Sequence, residues 1–214
     1  MINEVEFALK KRISEGESQI LDFKFALNDS RKIARSMSAF SNTDGGSLLL
    51  GVKDNGVIAG IRSEEEFYMA EMAASMYCKP EITFKSVLYD IDKKEVLEII
   101  ISPKKEVLTL APNEQNTYVA YIRHNDANYI AGKIYENVWR KRKSKRNRNI
   151  SINEYHRAVI ELIDIKKVVS INQIMQKLDL KKTVAEALVE QLILFGIADF
   201  VFTENGVMYG LKTQ

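Results

Sequence analysis

The sequence predicts an α+β fold: a mixed β-sheet with flanking helices, followed by a small module of helices that ends in a two-stranded ribbon. Three observations lead there. Apolar/polar alternation marks strands that are interrupted by helical segments without a regular βαβ rhythm, which disfavours a doubly wound sheet. Residues 143–149 (Lys-Ser-Lys-Arg-Asn-Arg-Asn) carry no apolar side chain and separate two regions of apolar periodicity. Beyond them the pattern changes to short helices and a ribbon. A chain of 214 residues suits one medium and one small domain. We expect a first domain over 1–140, a basic linker over 141–151 and a second domain over 152–214.

The elements follow in order. Asn3 can cap a first helix, with Glu6 at capping-box spacing and Val5, Leu9 and Ile13 at four-residue intervals. A strand is predicted over 18–25, where Leu21, Phe23 and Phe25 alternate with Ile20, Asp22 and Lys24. Ser30 is placed to cap a helix over 31–42 with the stripe Ile33, Met37 and Phe40, and Gly45 supplies its stop. Residues 47–53 read as a buried central strand. Asp54-Asn55-Gly56 then turns the chain into 57–61, because asparagine and glycine tolerate the positive φ of tight hairpin turns. A helix over 64–77 stops before Lys79-Pro80. Strands over 84–91 and 95–101 form a hairpin turned at 92–94, 117–123 adds a strand, and 130–141 a helix closing the first domain, with Trp139 as its anchor.

In the second domain a helix over 155–166 carries Val159, Leu162 and Ile163 on one face. Ser170 caps a helix over 171–178, and a third runs over 182–195 with Val184, Leu188, Leu192 and Phe195 inward. Strands over 197–202 and 207–211 complete a pattern that resembles a winged helix-turn-helix. On that reading Lys181, Lys182 and Thr183 enter a major groove, while Glu186 and Glu190 on the same helix oppose it. Residues 151–214 hold seven basic and eight acidic groups, so a dimerisation or protein-contact role stays open.

Composition narrows the function classes. With 46% hydrophobic and 28% charged residues this is an ordinary globular chain, and one cysteine, Cys78, excludes an internal disulfide framework. No apolar run approaches the roughly 20 residues of a spanning helix, and the acidic N-terminus is unlike a signal peptide, so we expect a cytoplasmic protein without a membrane partner. The net charge of +2 hides a local excess: Arg140, Lys141, Arg142, Lys143, Lys145, Arg146 and Arg148 lie within nine residues that contain no acid. Such a tract suits phosphate backbone contact, since each neutralised phosphate releases counterions. A solvated linker accounts for it equally. His124 and His156 fall in different domains and Cys78 lacks a partner at ligand spacing, which supports neither zinc nor a Cys-His nucleophile. Tyr118, Tyr121, Tyr129 and Tyr135 could stack bases, but their placement favours packing.

The densest chemistry lies between Glu17 and Gly56. Asp22 and Lys24 share the strand face opposite Leu21, Phe23 and Phe25, and so should point away from the nearest core layer. Glu17 has the other parity and joins Asp22 only by preceding the strand or through a bulge, which Gly16 permits. Asp54 leaves the buried strand at a turn. Gathered at one rim, Glu17, Asp22 and Asp54 could hold Mg²⁺ or Mn²⁺. Spacing alone equally describes a surface ion pair of Asp22, a turn residue and a helix-flanking acid.

Three ordered blocks, Glu17 to Lys24, Ala39 to Gly46 and Gly51 to Gly56, together with a looser echo at Tyr121-Ile122-Arg123, resemble the AlbA_2 domain of the Schlafen family over about residues 10–140. The resemblance implies a mixed sheet with flanking helices. Some members are RNA endonucleases that use two acids of the first block and one of the third. That would make Glu17, Asp22 and Asp54 catalytic metal ligands here, with Lys24 beside them. The middle acid is aspartate where ribonuclease members tend to have glutamate, and those enzymes pair two lobes where this chain has one, so a clamp requires a dimer. Short relatives joined to winged helices look like regulators. Members are also described as ATP-binding, yet the chain has neither a Gly-Lys-Ser/Thr phosphate loop nor a Gly-x-Gly-x-x-Gly fingerprint, which puts that activity last. The favoured reading is a homodimeric nucleic-acid-binding protein, a transcriptional regulator that binds DNA in preference to RNA, to which no cofactor is assigned. The competing one is a ribonuclease dependent on Mg²⁺ or Mn²⁺.

Overall fold

A computed structural model describes residues 4–25, 29–62, 65–143 and 151–212. The chain forms two compact units, residues 1–129 and 130–214. Among the described residues no helix is long and apolar enough to cross a membrane.

The first unit is α+β, as expected. Helix α1 (Glu4–Ser14) leads into strand β1 (Leu21–Lys24), helix α2 (Ser30–Asn42) and strand β2 (Gly46–Leu50); α3 (Glu65–Met76), β3 (Phe84–Ile91) and β4 (Lys94–Ile101) follow. The sheet order is β1-β2-β4-β3, with β1 and β2 parallel and the other pairs antiparallel. Strand alternation assigns its two faces. Leu48, Leu50, Leu97, Ile99 and Ile101 pack against Ile33, Met37 and Phe40 of α2 and the alanines of α3. Leu21, Phe23, Leu49 and Val96 pack against Leu9 and Ile13 of α1. Phe23 and Phe40 are fully buried, and burying such a side chain contributes about 1.5–3 kcal/mol. The lone Cys78 is buried in the α2 face of the core, with its Sγ 3.7 Å from the Ala34 carbonyl.

Strands β5 (Leu110–Pro112), β6 (Tyr118–His124) and β7 (Ala127–Ile130) make a second small sheet, and sequence periodicity finds only β6. Asn42 fixes α2 to this sheet. Its Nδ2 donates to the Thr109 and Tyr121 carbonyls, both at 2.8 Å, and its Oδ1 accepts from the Thr109 N–H at 2.7 Å. Ser38 Oγ accepts from the Tyr121 N–H and donates to the Thr109 carbonyl. The serines and Asn42 of α2 are therefore buried hydrogen-bonding groups on a helix covered nearly all round.

Several local expectations are corrected. The cap of α2 is Asp29, whose carboxylate accepts from the Arg31 N–H at 2.9 Å, and Ser30 is already helical. Strand β1 is shorter than 18–25, and Phe25 lies outside the core at 36% exposure, beneath Lys53 and Arg62. Strand β2 ends at Leu50, and 57–61 reduces to a single bridge between Val52 and Ile58. Gly51 has φ of +91°, and a Cβ there would stand 2.7 Å from the Gly60 and Ile61 backbone. Gly46 passes so close to Phe40 that a Cβ would meet the ring at 2.6 Å. Backbone packing thus explains these glycines without a phosphate ligand. Asn3 lies outside the described residues.

In the second unit, α4 (Lys133–Lys143) precedes α5 (Glu154–Lys166), β8 (Val168–Val169), α6 (Ile171–Leu178), α7 (Lys182–Leu194), β9 (Ala198–Thr203) and β10 (Gly206–Leu211). The strands pair in the order β8-β10-β9. Ser170 caps α6 in a capping box with Gln173. Asn153 and His156 form another on α5, where His156 Nε2 also lies 2.6 Å from Gln191 Oε1. Expected as the last helix of the first domain, α4 instead belongs to the second unit: Ile134 and Val138 share a core with Val159, Leu188 and Leu192. The boundary thus precedes α4, and the expected linker starts inside a helix whose apolar stripe is already committed. Residues 144–150 of that linker, with Lys145, Arg146 and Arg148, lie outside the described residues.

Candidate functional site

The first block builds a closed polar network. After α1, Gly16 takes φ of +83° and donates to the Ile13 carbonyl, placing Glu17 ahead of the strand. Ser18 bridges back to Leu21, so residues 17–23 form a tight return in which a Glu17 oxygen accepts from the Phe23 N–H at 2.8 Å and its carboxyl is hydrogen-bonded to Asp22. The expected meeting of Glu17 and Asp22 is present.

The orientation expected of Asp22 is overturned. Its side of β1 is covered by α2 and the second sheet, so Asp22 is buried at 3% exposure. Ser36 Oγ of α2 donates to it at 2.9 Å, Lys24 Nζ lies 2.9 Å away and Arg123 Nη2 of β6 3.7 Å away. Alternation shows that a strand has two faces but not whether the second is roofed over. Arg123, with its side chain 1% exposed, also donates to the Ser18 and Leu21 carbonyls and to Asn128 Oδ1 of β7. Asn128 Nδ2 in turn donates to Ser36 Oγ. Among the described residues no buried side-chain nitrogen or oxygen lacks a partner. Sequence reasoning misses Arg123, Ser36 and Asn128 as members of this cluster, although an arginine within the apolar run of β6 signals a buried counter-charge.

The two acids divide their roles. Burial first, and then the hydrogen bond with Asp22, push the Glu17 carboxyl up to about 7. Burial also opposes charge on Asp22, but the hydrogen bond from Glu17 and the charges of Lys24 and Arg123 outweigh it and hold Asp22 below the usual carboxylate range. A proton shared by the pair therefore favours Glu17.

Asp54 is exposed at the turn after β2, in an open hollow with Lys10, Ser14 and Gly16. Among the described residues no three His, Cys, Asp or Glu side chains are gathered to hold a metal ion. The donor set as it stands does not fit Mg²⁺ or Mn²⁺: Asp54 stands apart in its hollow, and the buried acid is already neutralised by an ammonium and a guanidinium.

The cationic residues lie in the second unit. Arg140, Lys141, Arg142 and Lys143 are exposed at the end of α4, and Lys181, Lys182 and Thr183 at the start of α7. No side chain caps the first turn of α7. The two acids expected to oppose a groove are turned aside. Glu190 is buried, accepting from Asn137 Nδ2 at 2.9 Å and from Lys141 Nζ, and Glu186 pairs with Lys182 at 3.9 Å. Lys133 and Ile134 line a hollow with Lys182 and Glu186, whereas Asn137 and Lys141 reach Glu190, so α4 and α7 run side by side in the same direction. The eight-residue step from Lys182 to Glu190 along α7 offsets the two basic ends by about 12 Å along the helix axis.

A family model described as Schlafen, AlbA_2 matches residues 17–132, more than half of the chain. No curated protein matches it. Among solved structures, the DIP2311 protein from Corynebacterium diphtheriae is similar at 14% identity and a TM-score of 0.47, covering 76% of this chain and 40% of its own. The N-terminal domain of a RecG-related protein from Nitrosomonas europaea is similar at 16% identity and a TM-score of 0.39, covering 70% of this chain and 95% of its own.

Proposed function

Because the chain belongs to the Schlafen AlbA_2 family, we propose that it is a nucleic-acid-binding protein, a DNA-binding transcriptional regulator that works as a homodimer. The observation that carries this reading is the first turn of α7, where Lys181, Lys182 and Thr183 are exposed beside uncapped N–H groups while Glu186 and Glu190 are occupied by lysines. Uncapped amides and cations at a helix start favour a phosphate. The order α5, β8, α6, α7 and the β9–β10 hairpin supports a winged helix with α7 as recognition helix. The basic end of α4 supplies a second anchor for the phosphate backbone, displaced along the helix axis by about 12 Å.

The test is the salt dependence of binding to a labelled duplex, read by anisotropy. Replacing Arg140, Arg142, Lys143, Lys181 and Lys182 with glutamine should flatten the slope of log K against log salt by about 0.9 for each phosphate that is no longer neutralised. Lys141 is left in place because it neutralises buried Glu190. An unchanged slope would overturn the reading. The same assay on RNA, with and without Mg²⁺ or Mn²⁺, addresses the nuclease alternative. Cleavage by the wild type that disappears in Glu17→Gln would establish the ribonuclease instead.

A further inference from the structure

A hollow opens in the second unit beside the basic end of α4. It measures about 240 Å³ and is lined by Tyr135, Val138, Trp139, Arg142, Lys143 and Phe200. That is below the roughly 300–1,000 Å³ of sites for drug-sized ligands, and of the scale of a single ring system. Val138 forms its buried floor, while the three aromatic residues remain half-buried. The Tyr135 and Phe200 rings are 5.2 Å apart and inclined at 54°, and Phe200 leans on Tyr209 at 6.0 Å. Lys143 Nζ sits 3.6 Å above the Trp139 ring.

We propose that this hollow binds one unpaired nucleobase of a single strand, stacked on Trp139 against the Phe200–Tyr135 wall, with its phosphate held by Arg142 and Lys143. Phe23 and Phe40 of the first unit are closed over. Here the rings stay open beside two exposed cations, the combination that a base and its phosphate require. Lys143 occupies the face of Trp139 that a base would take. An exposed cation–π contact is weaker than stacking on an indole, and the displaced ammonium gains a phosphate, so the exchange is favourable. A base inside a duplex cannot enter, so the site discriminates in favour of unpaired strands. The inference rests on the nucleic-acid reading and extends it to a second form of ligand.

Trp139 is the only tryptophan, so its emission reports on this site alone. Oligothymidylate added to the full-length protein should quench that emission by at least half at saturation, and by more than a duplex of equal length that binds by anisotropy. Phe200→Leu should lower single-strand affinity about tenfold and leave duplex affinity unchanged, and its melting curve verifies the fold. A single strand that binds by anisotropy without altering wild-type emission overturns the site. Duplex binding with no single-strand binding also overturns it and leaves the duplex reading standing; loss of both overturns the two together. Quenching without duplex binding upholds the site and removes the duplex reading.

Discussion

Glu17 is the residue whose chemistry departs furthest from its composition. It is an acid whose charge is disfavoured near neutrality, by burial first and then by its hydrogen bond to Asp22, which the two local cations hold ionised. The consequence for stability has a definite sign. A carboxyl whose folded value is raised from 4.5 to about 7 contributes stability that is present at low pH and is lost as pH rises through about 7. Asp22, held low, acts in the opposite sense, and its contribution is lost only in acid. Between these ranges Glu17 alone of the pair titrates. The denaturation midpoint of the wild type should therefore fall from pH 5 to pH 8 relative to Glu17→Gln, whose amide keeps both a donor toward Asp22 and an acceptor for the Phe23 N–H. Parallel pH profiles for the two proteins would refute the shared proton.

At the scale of elements, α2 is the hub: one side packs on the main sheet and the other is tied to the second sheet through polar atoms. Asn42→Ala strands the Tyr121 carbonyl and the Thr109 N–H and leaves the Thr109 carbonyl to Ser38 alone, each stranded group costing about 1–3 kcal/mol when buried and unpaired. A loss of about 3 kcal/mol in urea denaturation is expected, and a loss below about 1 kcal/mol would mean that water replaces the side chain. This scale also separates what the sequence discloses from what it withholds. The helices, the β3–β4 hairpin and the β9–β10 ribbon are legible because their periods are long and their turns carry Asp, Asn or Gly. Strands β5, β7 and β8 are not, because two to four residues give no period and only a tertiary partner makes them strands. The first block is legible as a meeting of Glu17 with Asp22. Its burial is not, since the roof over Asp22 comes from residues about 100 positions away, Arg123 and Asn128.

At the scale of the whole molecule, each unit encloses its own apolar core, and every described cation of the tract stands in the second. Residues 130–214 produced alone should unfold cooperatively and bind duplex DNA with the salt slope of the full chain; a fragment cut at 141, through α4, should not fold, because it lacks Ile134 and Val138. Retention of fold by the shorter fragment would return the boundary to the linker. The single cysteine offers a practical opening of another kind. Cys78 is 2% exposed, and burial pushes its thiol up to about 12, so the native protein presents almost no thiolate to a maleimide. The natural chain therefore behaves as a cysteine-free background: a cysteine introduced at the exposed start of α7 would be the one thiol to take a dye, and binding there could be followed optically with no other change to the sequence.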